Sequence, residues 1–134
     1  MSESVRVMLP EEKVNQRIAE LGEEISKEFA GEPVHLICIL KGSVFFTCEL
    51  AKRITVPVTM DFMTVSSYGS GTTSSGNVKI KKDLDEDIAG KNVVVIEDII
   101  DTGRTLACLL EILKERNPKK LKLCTLLENR LLRL

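Results

Sequence analysis

The sequence predicts an α/β protein with a central, mostly parallel sheet flanked by helices, and three observations carry that expectation. Residues 33–40 and 93–96 are nearly unbroken apolar runs, as strands read when both faces are covered. Other stretches carry apolar residues at helical spacing. The two kinds of segment alternate along the chain, the order that builds parallel sheets through crossover helices.

The elements follow in sequence. Residues 11–29 place Val14, Ile18, Leu21, Ile25 and Phe29 on one helical face, and Gly31 just beyond is a suitable stop. The apolar run at 33–40 is the first strand. Lys41, Gly42 and Ser43 break it, residues 44–54 read as a second helix, and 56–65 return to a strand. Residues 66–77 are almost wholly small and polar and bury too little apolar area to offset their ordering entropy, so they are expected to form a mobile loop. A loop of that length in a compact domain is more often a functional lid than an accident. Residues 78–82 alternate, with Val78 and Ile80 on one face and Lys79 and Lys81 on the other; 83–90 form an acidic turn. A buried strand at 93–98, a helix at 105–116 stopped before Pro118, and a last strand at 121–127 complete a single domain spanning 1–134.

Composition narrows the function. The 134 residues carry 19 Lys+Arg against 20 Asp+Glu, a formal charge of -1, so nothing global draws the chain to nucleic acid or an acidic membrane. The apolar runs are too short to span a bilayer and the first ten residues lack a signal-peptide layout, which points to the cytoplasm. Cys38, Cys48, Cys108 and Cys124 form no C-x-x-C pair and His35 is the one histidine, which excludes a zinc-finger framework. Each cysteine is expected to act as a small buried hydrophobe, and His35 as a core or edge histidine. Lys79, Lys81 and Lys82 read as a solvated, charge-balanced face, as do Lys119, Lys120 and Lys122.

The chemistry concentrates in residues 94–105. A buried strand ends in Glu97 and Asp98; Asp101 follows, and Thr102, Gly103, Arg104 and Thr105 open a helix. Carboxyl ends of parallel strands are where α/β proteins bind ligands. A Thr-Gly-x-Thr turn at a helix start offers free backbone N–H groups, two hydroxyls and the positive end of the helix dipole, a combination suited to a phosphate monoester. Glu97 and Asp98 can hold ribose hydroxyls directly or through magnesium, since hard cations prefer oxygen. Helix capping by Asp101 and Thr102 is the plainer explanation, but it leaves three clustered acids and the turn unaccounted for.

This stretch closely resembles the phosphoribosyl-pyrophosphate-binding signature of the type I phosphoribosyltransferases, and in detail that of the hypoxanthine (hypoxanthine-guanine) phosphoribosyltransferases. Leu40, Lys41 and Gly42 resemble the family's pyrophosphate turn. Ser66, Ser67, Tyr68 and Gly69 resemble the start of its flexible catalytic loop at 66–77, and residues 78–85 the strand returning from it. The resemblance runs from about residue 5 to residue 127. It implies the type I phosphoribosyltransferase fold and transfer of phosphoribose from phosphoribosyl pyrophosphate to hypoxanthine or guanine, giving IMP or GMP and pyrophosphate in purine salvage, with magnesium. Glu97 and Asp98 would contact the ribose hydroxyls and the metal. Asp101 would take or relay the purine's proton, and Asp101, Thr102, Gly103, Arg104 and Thr105 would wrap the 5′-phosphate. Lys41 would serve the pyrophosphate through a cis peptide after Leu40. The resemblance further implies a homo-oligomer, dimer or tetramer, and no nucleic-acid or membrane partner.

In the family the last core strand is followed by a hood segment that reads the base; measured against that, the chain is expected to be truncated at its C-terminal part. Residues 129–134 read as an abrupt end. The rival readings are a phosphoribosyltransferase for xanthine, adenine or a pyrimidine, an RNA-binding regulator of the same fold, and a non-catalytic nucleotide-binding fragment. The near-neutral charge and the intact Ser-Tyr-Gly loop argue against the regulator.

Overall fold

The computed structural model describes residues 11–67, 78–97, 104–126 and 130–133, with backbone only for 67, 104 and 130–133. Three helices, α1 (Glu11–Glu28), α2 (Val44–Ala51) and α3 (Arg104–Lys114), accompany six strands: β1 (Val34–Ile39), β2 (Val58–Ser67), β3 (Val78–Lys82), β4 (Asn92–Glu97), β5 (Lys120–Thr125) and β6 (Arg130–Arg133). They form one sheet in the order β3-β2-β1-β4-β5-β6. The four inner strands run parallel, and β3 and β6 close the two edges antiparallel. The expected mostly parallel α/β architecture is what the chain adopts.

The strands at the centre are apolar throughout because both of their faces are covered. Every residue of β1 is buried, and so are the first five of β4. On one face, Leu36, Val94 and Ile96 meet Ile18, Leu21 and Ile25 of α1 and Phe46 and Leu50 of α2. On the other, Ile37, Ile39, Val93 and Val95 meet Leu109 and Leu113 of α3, with Ile88 from the acidic turn. Each such Leu or Ile contributes about 2 kcal/mol by leaving water, so these two layers hold the strand ends in place. Gly31, at φ +82, supplies the left-handed residue that ends the first helix unit, as its position suggested.

Two polar fastenings support this frame. Buried Asp61 of β2 accepts the backbone N–H groups of Phe62, Asp85 and Glu86 at 2.8, 2.8 and 3.1 Å, which pins the acidic turn to the sheet. Arg116 grips Asp83 through two hydrogen bonds of 2.8 and 2.9 Å and holds that carboxyl below its usual range.

Several expectations need correction. β2 starts at Val58, after Pro57, which has no N–H for a ladder, and continues through Ser66 and Ser67. Those two serines pair with Lys79 and Val78 of β3, so cross-strand partners override a composition that reads as loop; residues 68–77 of the expected loop lie outside the described residues. The second helix ends at Ala51 rather than at residue 54. Residues 130–133, read from sequence as part of an abrupt end, form β6, with Leu123 opposite Leu132 and Cys124 opposite Leu131. Cys48 is exposed, because α2 turns Phe46, Thr47 and Leu50 inward. Cys38 and Cys124 are buried as expected, and burial pushes the Cys124 thiol up to about 12.

Among the lysines beyond α3, Lys122 is not solvated: its side chain is 5% exposed and its ammonium lies 3.3 Å from Glu28. Lys119 does sit at the surface, 2.9 Å from Glu32, and Lys120 lies 5.7 Å over the Phe29 ring. His35 is a core residue, with Nδ1 2.6 Å from Thr59 Oγ1.

A Cβ on Gly22 would lie 2.8 Å from Arg53 Cβ and 2.9 Å from its carbonyl oxygen, where α1 meets the chain leaving α2. Gly22→Ala should therefore lower stability by about 1–3 kcal/mol in urea melts. Burial, and secondarily Lys91, depress the His35 pKa below 6.5, with Asp61 and Glu86 opposing. The unfolded chain then binds the proton more readily, so His35 favours folding fully above 6.5 and progressively less as pH falls toward its lower folded value. Between about pH 7 and pH 5.5 the thermal midpoint of His35→Gln should fall less than that of the unmodified chain.

Candidate functional site

Because β2, β1, β4 and β5 are parallel, their carboxyl ends share one edge of the sheet, and the chemistry-bearing residues gather there. β1 delivers the Leu40, Lys41, Gly42 turn to this edge. β4, paired to β1 with Cys38 opposite Ile96, delivers Glu97 beside it. α3 opens at Arg104, after residues 98–103, which puts Thr105 in its first turn.

The turn after β1 is firmly built. The peptide between Leu40 and Lys41 is cis. The Leu40 N–H donates to the Met63 carbonyl of β2 at 2.8 Å, and the Lys41 carbonyl accepts the Val44 N–H of α2 at 3.2 Å. Leu40 is half-buried, while Lys41 and Gly42 stand exposed at the edge. An exposed lysine on a turn at the same sheet edge as a strand-end carboxylate can engage an anionic ligand that also presents hydroxyls.

Ser43 completes the turn and was not anticipated as a site residue. Its hydroxyl donates to Glu97 Oε1 at 3.0 Å, joining the turn of one strand to the acid of the next. The sequence offers Ser43 only as a residue before a helix, where capping is the ordinary expectation.

Of the residues the sequence nominated, the structure brings together Leu40, Lys41, Gly42 and Glu97, with Thr105 in the first turn of α3. The backbone of Arg104 begins α3, and Ser66 and Ser67 end β2. Asp98, Asp101, Thr102, Gly103, Tyr68 and Gly69 lie outside the described residues.

Residues 8–133 match the model of the phosphoribosyl transferase domain. The chain belongs to this family. Among its relatives, the hypoxanthine phosphoribosyltransferase of Buchnera aphidicola subsp. Schizaphis graminum is 50% identical over 130 residues, covering 96% of this chain and 73% of that protein. The Escherichia coli K12 hypoxanthine phosphoribosyltransferase is 48% identical over the same share of each. A hypoxanthine-guanine phosphoribosyltransferase from Bacillus anthracis, crystallised with a HEPES molecule in its active site, superposes with a TM-score of 0.85 at 43% identity, over 92% of this chain and 73% of that one. The family resemblance drawn from residues 94–105 and from the turn at 40–42 is thus borne out: the fold is that of a type I phosphoribosyltransferase, and the chain is a transferase of the hypoxanthine phosphoribosyltransferase kind. Among the described residues no helix is long and apolar enough to cross a membrane.

Proposed function

We propose that the chain transfers the phosphoribosyl group of phosphoribosyl pyrophosphate to hypoxanthine or guanine, forming IMP or GMP and releasing pyrophosphate, as a cytoplasmic enzyme of purine salvage. The observation that carries this is the meeting, at one edge of the sheet, of a lysine-bearing turn with the acid that opens the phosphoribosyl-binding signature.

In this reading Lys41, with Leu40 and Gly42, binds the pyrophosphate. Glu97 and Asp98 hold the ribose hydroxyls. Asp101, Thr102, Gly103, Arg104 and Thr105 surround the 5′-phosphate, whose charge suits the positive end of α3. As the bond from the anomeric carbon to pyrophosphate oxygen breaks and the bond to the purine nitrogen forms, Asp101 receives the proton that nitrogen sheds. The carboxylates of Glu97 and Asp98 favour the positive charge that develops on the ring. Ser66, Ser67, Tyr68 and Gly69 lead into the covering loop, which keeps water from that reactive carbon.

Magnesium suits this donor set. Glu97 offers carboxylate oxygen at the strand end, and magnesium commonly takes one or two carboxylates together with substrate oxygens. Among the described residues no three acidic, histidine or cysteine side chains form a closed metal cage, and a metal shared with substrate does not require one. When bound, it would neutralise the leaving pyrophosphate. The chain acts as a homo-oligomer, dimer or tetramer; Phe45 at 83% and Met60 at 38% exposure are large apolar side chains that assembly would cover.

The test is absorbance-followed conversion of hypoxanthine to its nucleotide with phosphoribosyl pyrophosphate and magnesium. The purified chain should turn over, and Asp101→Asn should lower kcat by ~10²–10⁴-fold with little change in folding. Equal rates for the two proteins would remove Asp101 from the chemistry. Conversion of another base in place of hypoxanthine or guanine would overturn the substrate assignment.

A further inference from the structure

Ser43 stands where a serine ordinarily caps its own helix by accepting a backbone N–H from the first turn. It makes no such side-chain bond. Its hydroxyl is directed across to β4, where it donates to Glu97 Oε1 at 3.0 Å. The side chain is fully buried, and its carbonyl accepts the Thr47 N–H of α2 at 2.9 Å, so the donor is held from both sides. A hydrogen bond from a fixed, buried hydroxyl to a carboxylate is among the stronger ones, and it constrains how the carboxylate is oriented.

The placement joins two parts of the site. Leu40 is tied to β2, Lys41 to α2, and Ser43 directly to Glu97. A shift of the turn carries the Ser43 hydroxyl with it and therefore turns Glu97. We infer that Ser43 is a positioning residue: it aims Glu97 at the ribose hydroxyls and couples that aim to the seating of the pyrophosphate turn. This rests on the roles proposed above for Glu97 and Lys41. Both of those groups address phosphoribosyl pyrophosphate and neither addresses the purine, so loss of Ser43 should be felt by one substrate only.

The experiment compares Ser43→Ala and Ser43→Cys with the unmodified chain. Alanine removes the donor; cysteine keeps the volume but donates poorly, which guards against a cavity effect. Both should raise KM for phosphoribosyl pyrophosphate about tenfold while KM for hypoxanthine stays within about twofold. The thermal stabilisation that phosphoribosyl pyrophosphate with magnesium confers should shrink in parallel. If the unmodified chain turns over and either folded variant keeps its KM for phosphoribosyl pyrophosphate, the positioning role is refuted and the functional reading survives. A rise in both KM values together would equally refute it, as general loosening of the site. If the unmodified chain neither turns over nor is stabilised by phosphoribosyl pyrophosphate, the functional reading fails and this inference falls with it.

Discussion

Strand β1 is enclosed on four sides: β2 and β4 pair with its two edges, and helices cover both faces of the sheet around it. Its parallel pairing with β4 brings the residues after Ile39 next to Glu97, although they are more than fifty positions apart in the chain. Neither the turn at 40–43 nor the acid at 97 has a local reason to lie where it does. Their geometry is inherited from a register of backbone hydrogen bonds held rigid by close-packed apolar layers. A one-residue slip of β4 would exchange Val94 and Ile96 with Val93 and Val95 between the two layers and move Glu97 away from Ser43.

The same dependence explains where the sequence could be read and where it could not. The strands at 34–39 and 93–96 announce themselves because burial on both faces removes polar alternation. The first helix does so because one of its faces is solvated and the other is not. β6 gives no such signal: Arg130, Leu131, Leu132 and Arg133 are too few to show a period, and the segment is a strand because it pairs with β5. Ser66 and Ser67 are extended for a comparable reason, their small polar side chains being outweighed by cross-strand partners. Lys122 carries a charged tip, yet it is buried because Glu28 at the end of α1 meets it. These are all effects of long-range partners.

The site divides along the same line. The residues proposed to handle phosphate and ribose stand in contiguous runs, 40–42 and 97–105, and are legible as motifs. Ser43 is not, because its part depends on a contact with residue 97 that no local pattern encodes. The corrections at Ser66, Ser67, Lys122 and residues 130–133 likewise fall where behaviour is decided by a neighbour in space. The fold and the family are decided by periodicity and motif, and there the 8–133 match and the superposition with relatives agree with the sequence.

We propose that phosphoribosyl pyrophosphate binds at the carboxyl edge of the parallel strands. Amide hydrogen exchange on the full chain, with and without phosphoribosyl pyrophosphate and magnesium, tests it most directly. Added protection should concentrate at residues 40–43 and 97–105, with the opposite edge near His35 and Asn92 unchanged. Protection confined to that opposite edge, or none at saturating ligand, would contradict the account.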